Sequence, residues 1–159
     1  MFADIWEEMQ RVGRRIDKQV RRPVILRSPT NRSFAIGNII FARKGATSSE
    51  IEHEKVHIAQ QKKVIEPTGI GLTNWIIKYG ADKDTRWETE KPAYRTEIID
   101  LSKKGKFINW YHYYNALLNE YNNMATEQQV QEFIKELIIL YNNNSSEGIK
   151  YNVNLNYIG

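Results

Sequence analysis

The chain contains no cysteine, which rules out disulfides and thiolate metal sites and fits a reducing compartment. No apolar run approaches the ~20 residues of a membrane-spanning helix, so no transmembrane segment is expected. The first residues lack the hydrophobic core of a signal peptide, which predicts a cytoplasmic location. There is no internal repeat and no phosphate loop, because Gly69-Ile70-Gly71 lacks the lysine and the spacing such a loop needs. Histidine is scarce as well, with three in 159 residues. What is present suits one domain with a real core: 41% hydrophobic residues, 26% charged, and a net charge of +4.

Two of the three histidines fall at one decisive spacing. Residues 53 to 57 read His-Glu-Lys-Val-His, the HExxH pattern. Thr47 with Glu50 and Ser49 with Glu52 form overlapping capping boxes that start a helix just before His53. Gln60, Gln61, Lys62 and Lys63 continue it, and Pro67, Gly69 and Gly71 end it. On a helix, residues four apart lie one above the other, so His53 and His57 can share one metal ion. Glu54 then sits beside that ion without having to be a ligand. Zinc suits two imidazoles and a carboxylate with one position open. It lowers the pKa of a bound water from about 15.7 to about 7, and a neighbouring carboxylate can take the proton.

Ser33 to Arg43 is rich in β-branched and aromatic residues and is closed by Lys44-Gly45, so it reads as one strand. Val24-Ile25-Leu26 is its expected partner. A sheet edge beside the metal helix would suit an extended peptide. Downstream, Trp87 to Glu97 begins a second helix, with Thr89 as N-cap and Pro92 in the first turn. Glu90, Ala93, Tyr94 and Glu97 share one face of it. The third ligand is open among Glu90, Glu88, Glu97 and His112.

The run from Ala35-Ile36-Gly37-Asn38 through His53 to Gln61, and on to Glu90-Lys91-Pro92-Ala93-Tyr94, resembles the zincin metallopeptidases of the gluzincin kind. It is most similar to small bacterial and phage-encoded members with an HExxHxxQ helix and a later ExxA(Y/D) helix. The resemblance covers roughly residues 34 to 97 and departs at Pro92, where the related proteins often carry a second glutamate. It implies an α+β, zincin-like fold, with a small sheet packed on the HExxH helix and a mainly helical C-terminal half. It also implies a zinc ion held by His53, His57 and Glu90, with Glu54 as general base.

Zincins often use a later Tyr, His or Arg against the developing negative charge. Tyr94, His112 and Tyr79 are the candidates here, although the aromatic run from Asn109 to Asn115 reads mostly as core. Phe2, Ile5, Trp6, Met9, Val12, Ile16 and Val20 make an amphipathic helix, opposite a face with Arg11, Arg14, Arg15, Lys18, Arg21 and Arg22. That face suits solvent, or contact with nucleic acid, an anionic surface or an acidic partner. Further helices are expected at Leu72 to Tyr79, from Phe107 to about Tyr121, and after the Thr126 capping box. The last of these buries Val130, Phe133, Ile134, Leu137, Ile138 and Tyr141. After a polar break at Asn142 to Ser146, Ile149, Tyr151, Val153, Leu155 and Tyr157 alternate as in a terminal strand. The expected organisation is a basic helix over 1–22, a metal-binding domain over 23–141, and a linker with terminal strand over 142–159. Two functions follow. One is a zinc peptidase or amidase acting on a peptide or protein substrate. The other is a structural or assembly protein, such as a phage virion component, that docks protein partners through its terminal helix and strand.

Overall fold

The computed structural model describes residues 22–64, 70–121 and 123–153. The expected basic helix over 1–22 therefore lies outside the described residues except for Arg22, as do the last six residues of the expected terminal strand. The fold is α+β, as expected. Strands β1 (Val24–Arg27), β2 (Phe34–Ile36) and β3 (Ile39–Ala42) form one sheet in the order β1-β3-β2. β1 runs parallel to β3, with Val24 opposite Ile39, and β2 runs antiparallel to it, with Phe34 opposite Phe41. The single strand expected over 33–43 is thus a hairpin. Gly37 takes a positive φ of 63° and with Asn38 makes the two-residue turn that Gly-Asn pairs favour. The apolar residues continue on both sides of this turn and so hide it from a reading by hydrophobicity.

Helix α1 (Ser48–Val64) carries the HExxH residues. Its N-cap is Thr47, in a capping box with Glu50: the Glu50 N–H donates to Thr47 Oγ1 at 3.2 Å and the Thr47 N–H to Glu50 Oε2 at 2.7 Å. The second expected box does not form, because Ser49 Oγ donates instead to Asp100 Oδ2 at 2.6 Å. Ile58 on this helix packs with Ala35 and Ile40 in a small core under the sheet. Gly71 does not end α1. It lies inside the next helix, α2 (Ile70–Ala81), while Pro67 and Gly69 are outside the described residues.

Helix α3 (Lys83–Lys103) starts earlier than expected. Asp82, not Thr89, is its N-cap and accepts from the Asp84 N–H at 3.0 Å. Pro92 therefore lies well inside the helix rather than in its first turn. A proline there costs about 3 kcal/mol in an isolated helix, and here the fully buried Ala93 and the buried Tyr94 and Ile98 offset it by packing. Thr89 Oγ1 turns back to the Thr85 carbonyl at 2.6 Å. α1 and α3 are antiparallel: Ser49 meets Asp100, His53 meets Glu97 and Gln60 meets Thr89.

Helix α4 (Trp110–Asn115) runs into a π-helical turn at Ala116–Glu120. It begins at the Asn109 cap rather than at Phe107, which is 83% exposed. Helix α5 (Glu127–Asn144) has the expected Thr126 capping box and buries all six expected apolar residues. Trp87, Ile98, Trp110 and Leu117 join them in the main core. Asn142 to Asn144 form the end of α5 rather than a break. Residues 149 to 153 form no strand. Their alternation is real, since Ile149, Tyr151 and Val153 pack against the main core, but among the described residues no strand lies beside them. Instead the Asn142 side chain accepts from the Tyr151 N–H at 2.8 Å and donates to its carbonyl at 2.9 Å. Among the described residues, no helix is long and apolar enough to cross a membrane.

Candidate metal centre

Helical spacing brings the two imidazoles of α1 together, with Nε2 to Nε2 at 3.2 Å. Glu90 reaches them from α3. Its Oε2 lies 3.2 Å from His53 Nε2 and its Oε1 3.4 Å from His57 Nε2. All three side chains are buried, and one donor atom from each falls within 4.8 Å of the others. The antiparallel packing of α1 on α3 is what delivers Glu90, since 86, 90, 93, 94 and 97 form the buried stripe of α3.

The outer nitrogens decide the protonation of the rings. Gln60 Nε2 donates to the Thr89 carbonyl at 2.9 Å, so its Oε1 is the acceptor facing His57 Nδ1 at 2.9 Å. His57 Nδ1 must then carry the hydrogen. His53 Nδ1 lies 3.0 Å from the carboxylate of Glu97 and carries its hydrogen for the same reason. In the neutral rings both Nε2 atoms are therefore bare lone pairs, aimed at each other and at a carboxylate. Such a cluster needs a cation or an added proton at its centre.

Without metal, the proton goes to His53. Burial alone would lower its pKa, but hydrogen bonds to Glu90 and Glu97 and the charge of both raise it from 6.5 to about 10. The 3.2 Å contact with Glu90 is a hydrogen bond only in that protonated form. Glu90 itself is held well below the usual carboxylate range. Burial works against this, and the imidazoles at its two oxygens outweigh it whenever a proton sits between them and the carboxylate. Metal loading must displace the His53 proton. Calorimetry in two buffers of different ionisation enthalpy should therefore find about one proton released per ion between pH 7 and 9. Affinity should fall about tenfold per pH unit as pH drops across that window. In the metal-free protein, the raised pKa contributes stability that is complete below about 6.5 and is lost as pH rises through about 10.

Glu54 follows His53 on α1 and is buried, with no hydrogen-bond partner for its Oε2. Burial raises its pKa against the opposing charge of the two histidines. Tyr94 is close, as expected, but as a wall: its ring stands edge-on to His53 at 4.7 Å and its hydroxyl pairs with that of Tyr121 at 2.9 Å. Tyr79, from α2, donates its hydroxyl to Glu90 Oε1.

The three other candidates for a third ligand are placed differently. Glu88 is exposed and paired with Lys91 at 2.7 Å. Glu97 holds the far side of His53 and accepts from the Tyr113 hydroxyl at 2.6 Å. His112 is exposed on α4 and stands against Tyr113, with no hydrogen bond, ion pair or ring contact to His53, His57 or Glu90. Its expected catalytic contact is not seen, because α4 starts only at Trp110 and turns this residue outward. The supporting roles of Gln60 and Tyr113 were not expected. Gln60 had a visible signal, one turn past His57, whereas nothing local marks Tyr113.

The expected substrate edge is also partly taken. The fully buried Gln61 accepts from the Gly37 N–H and donates to the Ala35 carbonyl, both at 2.7 Å. These are main-chain groups that an added strand would need. An open cleft of about 440 Å³ lies instead along Gln60, Thr89, Trp75, Thr85 and Glu88. No protein-family model, curated protein or solved structure matches the chain.

Proposed function

We propose that this chain is a zincin-like hydrolase, of the gluzincin kind, that uses zinc to cleave a peptide or other amide bond. One observation carries the reading. Two imidazoles, each pinned by its own acceptor, turn their lone pairs onto Glu90, beside a buried and unpartnered Glu54 oxygen. Two nitrogens and one carboxylate make the three-ligand set of catalytic zinc sites, which keep a position open.

When bound, zinc supplies a Lewis acid that polarises the amide carbonyl and brings the pKa of a water down to about 7. With zinc held by His53, His57 and Glu90, Glu54 Oε2 would take a proton from the attacking water and pass it to the amide nitrogen as the C–N bond breaks, so that one water is consumed and an acid and an amine are formed. Glu97 and Gln60 keep His53 and His57 in the tautomer this needs.

A second reading is a structural or assembly protein, such as a virion component, on the same fold. Burial favours it: Glu90 is 1% exposed, and His53, Glu54 and His57 are 6% exposed each. Metal analysis by mass spectrometry, together with a peptide-library assay, tests the first reading. The expected result is about one zinc per chain, with cleavage that stops on chelation and returns with zinc. Wild-type protein that was never exposed to chelator and carries no metal would sink it.

A further inference from the structure

Glu90 offers two oxygens to the centre, and they differ. Oε1 accepts from the Tyr79 hydroxyl and lies 3.4 Å from His57 Nε2, whereas Oε2 has no such fixed donor and faces only His53 Nε2, at 3.2 Å. Tyr79 is itself firmly held. Trp75 stacks on its ring at 5.2 Å and 14°, and the ring stands edge-on to His57 at 6.2 Å. The Arg86 guanidinium lies over the ring at 5.9 Å and donates to the adjacent Gly80 carbonyl at 3.3 Å. Three contacts therefore aim one phenol at one oxygen of a metal-ligating carboxylate.

We infer that Tyr79 is a positioning residue that sets how Glu90 coordinates: by engaging Oε1 it leaves only Oε2 for the metal. This rests on the zinc reading above. A carboxylate that used both oxygens would fill the position that a water must occupy next to Glu54. The phenol keeps that position open through a single hydrogen bond. Stacking on Trp75 and the cover of Arg86 make that bond geometrically durable, since a ring held on its faces has little freedom to swing its hydroxyl away.

The test is Tyr79→Phe, which removes one oxygen and leaves the ring stack in place. In crystals of zinc-loaded wild type, one Glu90 oxygen should lie at about 2.0–2.2 Å from the ion and the other beyond bonding distance. In Tyr79→Phe both should bind. Cobalt-loaded protein gives a second readout, free of turnover. Azide, which needs an open position, should shift the visible spectrum of wild type and bind the variant at least ~10-fold more weakly, ~1.4 kcal/mol. Zinc bound through both oxygens in wild type, or unchanged coordination and azide affinity in the variant, would overturn the role of Tyr79 while leaving the metal centre intact. Wild type that takes up no metal would instead remove the centre itself, and with it this role.

Discussion

Zinc is expected to be lost from His57→Ala and from Glu90→Ala, and to be retained at lower affinity by Glu97→Gln. The first two variants each remove one of three donor atoms that lie within 4.8 Å of one another, leaving two protein ligands where stable sites use three or four. Glu97 touches only the outer nitrogen of His53, at 3.0 Å. Loss of an outer partner typically costs ~10–100-fold in affinity, so Glu97→Gln should still load with excess zinc. Thermal melts give an independent measure. With zinc at about 1,000 times its Kd, wild type gains ~4 kcal/mol, and at ~2–4 °C per kcal/mol for a chain of this size its Tm should rise by about 8–16 °C. The melts of His57→Ala and Glu90→Ala should not respond to zinc. If Glu90→Ala keeps its zinc while Glu97→Gln loses it, the third ligand is Glu97 rather than Glu90.

The second large effect concerns Glu54. Glu54→Gln should bind zinc as wild type does and hydrolyse ~100- to 10,000-fold more slowly, the range supplied by a positioned general base. That corresponds to ~3–5 kcal/mol of transition-state stabilisation. The substitution is isosteric, and Glu54 Oε2 has no hydrogen-bond donor to lose, so the fold should not weaken. A neutral side chain suits the buried position, since burial already pushes the carboxyl towards its protonated form. If Glu54→Gln preserves the biological role of the protein while His57→Ala destroys it, the metal is structural and the assembly reading stands.

Much of the centre was legible along the chain because its parts are local. His53, Glu54 and His57 need only a helix, and the Thr47–Glu50 capping box that starts it lies in the sequence just before them. Glu90 was legible as one of several choices. What separated it from Glu88 and Glu97 was the rotation and start of α3, and here the local signals misled. Pro92 reads as a first-turn residue and Thr89 as a cap, yet packing against α1 and the main core carries the helix back to Asp82. The hairpin was missed because hydrophobicity does not register the positive φ of Gly37. The described part of the expected terminal strand, 149–153, is not a strand for another reason. Side-chain alternation follows from any extended chain, whereas a strand needs a neighbour, and none lies there among the described residues.

By itself, then, the sequence determined the chemistry on offer: two imidazoles one helical turn apart, a carboxylate between them, no thiol, and a later helix carrying acids. Helix geometry is set within a few residues, so such a pattern survives without knowledge of the rest. Only the tertiary structure decided which acid faces the imidazoles, which nitrogen of each ring is free, and that Tyr79 occupies one oxygen of Glu90. Each of these depends on how one helix is turned against another, and that is fixed by packing between residues tens of positions apart.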